Sequence, residues 1–270
     1  MNHGKTFSLW SIIFREHFYF TLLLVYTLLI LIYVIFPAEN MFTISALIYP
    51  LIALIPFLIY IPSAKKVGFS WKDKFSIMVV FNALGAISWF VAEVIWCYYY
   101  NLFLRIEIPY PSEADFFYIL ASVLVIVGIA VYINSIYQDL KGKIRTEEVI
   151  TSVIFTGFLM SFIGIILFYP ITTYAAEEEL TILCLDLIYV ILDVIMTALI
   201  FFGFLIIRGK IGKILLLFLL SGLFVIVYDV AFAYLDLIGL YYDGHPIELL
   251  DIASYFLDMC AFYEIYKLYQ

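Results

Sequence analysis

Eight stretches of this chain stay apolar for about twenty residues each, at 18–36, 42–61, 75–100, 115–137, 149–169, 180–207, 213–240 and 247–268. Twenty helical residues rise about 30 Å, the thickness of a bilayer's hydrocarbon core. Composition agrees: 66% of residues are hydrophobic and 13% charged, against roughly 25% charged in an ordinary soluble domain. In lipid every backbone polar group must be satisfied within the protein, which leaves helices or closed barrels. Barrel strands alternate with period two over about ten residues, and these runs are continuous. The expected fold is all-α: one polytopic membrane helix bundle of eight transmembrane helices, occupying residues 1–270 with no soluble domain. The first run exceeds the usual 7–15 residues of a signal core, and Phe36-Pro37-Ala38-Glu39 is a poor cleavage site, so it reads as a retained helix.

Charge sets the orientation. With eight crossings, 13 of the 14 basic residues fall on one side: Lys5, Arg15, Lys65, Lys66, Lys72, Lys74, Lys141, Lys143, Arg145, Arg208, Lys210, Lys213 and Lys267. Only Arg105 lies opposite. The cytoplasmic side of a membrane protein is rich in Lys and Arg. Both termini are therefore expected in the cytoplasm, in a multi-pass protein of the cell membrane. An odd number of spans would break the alternation.

Of the 22 acids, Glu16, Asp73, Asp139, Glu147, Glu148 and Glu264 belong to the basic side, and the other sixteen lie outside or in the outer halves of spans. Solvated loop charge accounts for Glu39, Glu107, Glu113, Glu177, Glu178, Glu179, Asp243 and Glu248. It does not account for acids within the apolar runs. A charge at the bilayer centre costs about 2.5–3.5 kcal/mol on insertion scales, and such residues usually face the bundle interior.

Those acids are regularly spaced. Asp186 and Asp193, Asp229 and Asp236, and Asp251 and Asp258 are i,i+7 pairs. Each pair spans about two helical turns and shares a face, some 10 Å apart. Asp193, Asp229 and Asp258 lie near the midplane and their partners shallower. The third span carries a stripe of Asn82, Trp89, Glu93, Trp96 and Tyr100, and Tyr255 lies between the acids of the eighth. Turned toward one another, these faces make an acidic, aromatic-lined pocket open to the outside. Its expected ligand- or cation-binding residues are Glu93, Asp186, Asp193, Asp229, Asp236, Asp251, Asp258, Trp89, Trp96 and Tyr255. No intramembrane Lys or Arg is present to neutralise them, so they share protons or enclose a cation or cationic small molecule. The plainer alternative is that each acid is neutral or hydrogen-bonded and holds helices together. Asp193, Asp229 and Asp258 are expected to converge on one site.

Between the third and fourth spans the chain reads Pro109, Tyr110, Pro111, Ser112, Glu113, Ala114, Asp115, then Tyr118. Ser112 and Asp115 have capping-box spacing, so Asp115 is read first as a helix cap. This hairpin, preceded by Trp89 and Glu93, resembles the N-terminal multi-helix membrane sensor regions of bacterial and archaeal diguanylate cyclases and sensor histidine kinases. Tyr189 with Asp193, and Asp229 with Asp243-Gly244, extend the resemblance over residues 75–268. It implies a sensor, here without an output domain and so acting through a separate cytoplasmic signalling partner. The resemblance assigns no ligand to any residue.

Glu93 to Asp115 and Asp229 to Asp251 are equally spaced, and both cross a Pro-containing outer loop. A parallel repeat of spans one to four and five to eight follows, although spans two and six differ in their acids. Cys97, Cys184 and Cys260 have no CxxC spacing and read as buried small hydrophobes.

Function narrows to three classes. A sensor or ligand-binding module needs only an outer pocket. A cation- or proton-coupled transporter needs broken helices near its site, and the acid-bearing spans contain few breaks. An intramembrane enzyme could use an acid pair. No glycine loop for phosphates, zinc-type histidine cluster or Ser-His-Asp set is present, no cofactor is indicated, and nothing points to nucleic acid. Cysteines introduced into the second and third loops are expected to label from opposite faces of the membrane; labelling from the same face removes the eight-crossing topology.

Overall fold

The computed structural model describes residues 17–104, 110–140, 142–174 and 180–269. Among them eight α-helices follow one another: α1 Phe18–Ile35, α2 Ala38–Val67, α3 Lys74–Glu93, α4 Glu113–Asp139, α5 Thr146–Tyr174, α6 Leu180–Ile206, α7 Gly209–Leu237 and α8 Glu248–Leu268. Beyond Glu93, α3 continues as a π-helical segment over Val94–Leu104. Lys5, Arg15, Glu16, Arg105, Glu107, Pro109, Lys141, Glu177, Glu178 and Glu179, all weighed above, lie outside the described residues, as do the side chains of Glu39 and Tyr100.

Seven of these helices are long and apolar enough to cross a membrane, the architecture of a multi-pass membrane protein. The eighth, α8, carries Glu248, Asp251, Asp258, Glu264 and Lys267 within 21 residues. Its position explains how. It packs between α2 and α7, with α1 on a further side, and it buries Ile252, Phe256, Met259, Phe262 and Ile265. A helix enclosed by protein need not be apolar toward lipid.

Helix α2 holds Pro50, Pro56 and Pro62 in its interior. Each proline removes an i→i−4 hydrogen bond. Neighbouring helices and hydroxyls compensate for such losses in membrane bundles. Here the Ser63 hydroxyl lies within reach of the Ile59 carbonyl at 3.1 Å and of Phe262 O, on α8, at 3.2 Å. The helix therefore runs longer than the expected 42–61 span.

Contacts between α3 and α4 are the most extensive in the bundle, and glycine makes them so. A Cβ on Gly85 would stand 2.7 Å from Val125 Cγ2, and one on Gly128 would stand 2.7 Å from Phe81 Cβ. By contrast α1 and α5 are peripheral. In α1 only Phe18, Leu29 and Tyr33 are buried. In α5, Leu159, Ile163 and Leu167 pack on Val190 and Val194 of α6 and Ile226 and Val230 of α7. Phe20, Val34, Phe158 and Ile165 are exposed on these outer helices, apolar surface suited to lipid.

The bundle has chemically distinct ends. At one, Glu264 pairs with Lys213 and Lys267, each at 3.0 Å, and accepts a hydrogen bond from Tyr19. Lys66 sits 4.0 Å over the Tyr266 ring. The starts of α1 and α7 and the ends of α2 and α8 thus gather as a basic end. At the other end, Tyr33 at the close of α1 meets Glu248 at the start of α8. Gly244 there has φ 87° and approaches Met41 so closely that a Cβ would stand 2.6 Å from Met41 Cβ.

Leu at Gly85 or Gly128 is expected to destabilise the fold by about 1–3 kcal/mol through overpacking, read as a lower melting temperature in detergent. Leu at Gly157 or Gly164, where a Cβ would have nothing within 4 Å, is expected to leave it unchanged.

Candidate functional site

One cavity of about 180 Å³ lies inside the bundle, walled by α2, α3, α4, α6, α7 and α8. At about 10–15 Å³ for each water's probe volume, it has room for roughly a dozen waters or a small organic ligand. Nine carboxylic acids line it, and no Lys, Arg or His does among the described residues.

Nine of the ten residues expected from the sequence lie on its wall: Glu93, Asp186, Asp193, Asp229, Asp251, Asp258, Trp89, Trp96 and Tyr255. Asp236 does not. Seven residues fall about 20° short of two turns on a straight helix, and Asp236 is in the final turn of α7. Past Ala233 the wall is continued by the loop residues Tyr241 and Asp243 instead.

Phenols hold most of the acids. Tyr255 donates to Glu93 at 3.0 Å, and Tyr118 and the Cys97 thiol are also bonded to that carboxyl. Tyr110 donates to Asp186, and Tyr189 to Asp115 at 2.6 Å. Tyr49 donates to the Glu248 carbonyl at 3.2 Å and Ser221 to the Ser254 carbonyl at 3.2 Å, both on α8, and Ser254 Oγ lies 3.4 Å from the Asp251 carboxyl. The phenol bonds are tertiary pairings across helices, invisible to a reading of spacing within one helix.

Two acids read as solvated loop charges belong to the site. Glu248 is only 3% exposed. Its carboxyl accepts from Tyr33 at 2.6 Å, Tyr241 at 3.2 Å and the Gly244 backbone N–H at 2.6 Å. The loop at 238–247 folds inward and encloses it. Asp243 also lines the cavity, bonded to Trp96. Burial pushes its carboxyl above the ordinary Asp range, and the indole bond offsets part of that rise. The adjacent Asp-Gly turn was the one local signal of this inward fold.

Asp115 plays two parts. It completes the expected capping box, accepting from the Ser112 backbone at 2.5 Å while Ser112 Oγ accepts from Ala114 N at 3.2 Å. It also faces the cavity and takes the Tyr189 hydroxyl. Of the cysteines, all free, Cys97 is buried as expected, Cys260 half-buried and Cys184 exposed.

Asp193 and Asp229 are paired with one another rather than with a phenol. They are hydrogen-bonded to each other across the α6–α7 contact. Two carboxyls can bond only if one keeps a proton. Asp193 is 3% exposed, and its Oδ2 meets no hydrogen-bonding partner among the described residues. Asp193, Asp229 and Asp258, expected to converge, all line this one cavity. No group of three or more His, Cys, Asp or Glu among the described residues could hold a metal ion.

The wall is laid out in two matching halves. The α3 lining residues Asn82, Ala86, Trp89, Glu93, Trp96 and Cys97 each have a lining counterpart 136 positions later on α7: Phe218, Gly222, Val225, Asp229, Phe232 and Ala233. Asp115, Tyr118 and Ser122 on α4 match Asp251, Ser254 and Asp258 on α8 at the same interval. On α2, Ala46, Tyr49, Ala53 and Pro56 match Asp186, Tyr189, Asp193 and Met196 on α6, 140 positions later. The difference of four is the difference between the α2–α3 connection, 68–73, and the α6–α7 connection, 207–208. Contacts follow suit: α2 packs on α8 as α6 packs on α4, and Tyr49 donates to the Glu248 carbonyl of α8 as Tyr189 donates to the Asp115 carboxyl of α4.

No family model, curated protein or solved structure matches the chain. Tyr33→Phe or Tyr189→Phe, which leave a buried carboxyl short of a donor, are expected to cost about 1–3 kcal/mol each. Thermal unfolding would read this, against Tyr137→Phe, an exposed control, which should be silent.

Proposed function

We propose that the protein is a membrane sensor or ligand-binding module whose cavity takes a cationic ligand from the extracytoplasmic side. The observation that carries this is the lining: nine acids and, among the described residues, no base, with Asp193 Oδ2 buried and lacking a donor there. A ligand bringing positive charge and N–H donors complements such a wall, and the aromatic side chains around it suit a cation by cation–π contact.

The topology belongs to the same proposal. Eight crossings place the basic end, with Lys66, Lys213 and Lys267, in the cytoplasm of the cell by the positive-inside rule. The acid end, with Glu248 and the 238–247 loop, then faces out. The bundle is two parallel four-helix repeats, α1–α4 and α5–α8. The paired lining positions and the loop-length difference support it, as does the peripheral position of the first helix of each half. The likeness of the Pro109–Tyr118 hairpin to sensor regions of diguanylate cyclases and histidine kinases favours signalling, with a cytoplasmic partner reading the state of the bundle.

A transporter is the second reading, and two features favour it. The acid-bearing α3 gives way to a π-helical segment directly after Glu93, which revises the expectation of few breaks. Local π geometry often marks functional sites. Pro56, in the middle of the thrice-interrupted α2, lines the cavity.

Reconstitution separates the two. Vesicles containing the protein are expected to bind a probe such as benzyltrimethylammonium saturably, from the acid-end face, without net movement of the probe, protons or alkali cations. Flux of any of these down its gradient would replace the sensor with a carrier.

A further inference from the structure

We propose that Asp193 and Asp229 form the cation locus of the cavity, that they take the ammonium group of a small monoamine in exchange for the proton they share, and that the apolar remainder of the amine lies toward the alanine face of α2. This rests on the reading of the cavity as a cation site. It adds a ligand class, an orientation and a proton stoichiometry.

The locus is singled out by partners. Glu93, Asp115, Asp186, Glu248 and Asp251 each have a hydroxyl donor, and neither Asp243 nor Asp258 has a buried carboxyl oxygen without a partner among the described residues. Asp193 and Asp229 have each other, and Asp193 Oδ2 has no partner among the described residues although it is buried. A primary ammonium supplies what is missing, since it carries N–H donors and no acceptor.

Charge conservation favours exchange over simple addition. The pair with one proton carries a charge of one negative unit. When R–NH₃⁺ enters and the shared proton leaves to solvent, two carboxylates and one ammonium again total one negative unit. No covalent bond other than the O–H is broken, and no net charge is added to a dry site where an uncompensated ion would be costly.

The groups facing the pair leave it as the exchanging site. From α8 comes Asp251, whose carboxyl already has Ser254 Oγ at 3.4 Å. From α6, besides Asp193, comes Tyr189, whose hydroxyl donates to Asp115 of α4 at 2.6 Å. From α7, besides Asp229, comes Tyr228, bonded to Tyr241. On the remaining side α5 presents Leu159, Ile163 and Leu167, none of which titrates.

Orientation comes from the place where the two halves differ. Asp186 and Asp193 on α6 correspond to Ala46 and Ala53 on α2, all four on the wall. Tyr49 and Tyr189 are retained between them. The α6 face of a quasi-symmetric pocket thus holds Asp186 and Asp193, and its counterpart on α2 offers methyl groups. A monoamine with an apolar body fits that polarity; a diamine leaves its second charge against alanine.

The test is calorimetry on the purified full chain in nanodiscs near neutral pH, repeated in two buffers of different ionisation enthalpy. Phenethylamine, benzyltrimethylammonium and p-xylylenediamine are the probes. Wild type is expected to bind phenethylamine with release of about one proton per amine, more tightly than the diamine. Asp193→Asn and Asp229→Asn should weaken it about tenfold or more, the loss of a hydrogen bond to a charged group, and abolish proton release. Ala53→Asp should raise diamine affinity relative to phenethylamine. Phenethylamine binding without proton release in wild type overturns the proposal, even if neither Asn variant folds. So does binding that both variants retain, or an Ala53→Asp protein that folds and shows no gain for the diamine. If benzyltrimethylammonium binds and phenethylamine does not, this proposal falls and the cation-site reading stands. If neither binds, both fall.

Discussion

The bundle depends on how carboxyl groups are satisfied away from water. A buried carboxyl needs donors, and this chain supplies them from tyrosine. A phenol is apolar over its ring and polar at its tip, so it can cross a helix interface and still deliver a hydrogen bond. Tyr33 ties α1 to α8 through the Glu248 carboxyl, Tyr189 ties α6 to α4 through Asp115, and Tyr255 ties α8 to Glu93 at the end of α3, while Tyr49 ties α2 to α8 through the Glu248 carbonyl. Lipid offers no hydrophobic drive for helices to associate. These bonds therefore help to select neighbours, and they explain how α8 can sit at the centre with four acids along its length.

Much of this was legible in the sequence, for identifiable reasons. A helix face is local, so the i,i+7 acids of α6 and α8 reached the cavity as expected, and the stripe on α3 did so through Trp96. What depends on the neighbouring helix was not legible. The bond from Tyr189 of α6 to Asp115 of α4 cannot be read from either helix alone. Glu248 follows a proline in what reads as a loop, yet the turn at Gly244 folds back to enclose it. The equal Glu93–Asp115 and Asp229–Asp251 spacings pointed to a repeat. The matching faces of α2 and α6 were hidden because alanine stands where aspartate would be sought; Tyr49 and Tyr189 were the positions to compare.

Helices α3 and α4 illustrate a second division of labour. Their glycines let two backbones approach until side chains of one touch the other, giving a rigid pair. Beside them, α2 is interrupted by three prolines and α3 ends in π geometry. Stiff and compliant elements thus meet at the same cavity, where a bound molecule has leverage on the bundle.

The distribution of indoles has a practical side. Of four tryptophans, Trp89 and Trp96 stand on the cavity wall one turn to either side of Glu93, Trp71 is exposed near the basic end, and Trp10 lies outside the described residues. Trp96 is bonded to Asp243. With Trp10 and Trp71 replaced by Phe, the remaining tryptophan emission comes from the cavity alone. The protein then carries its own optical gauge, in which a shift in wavelength or quenching reports what enters the site without any label attached.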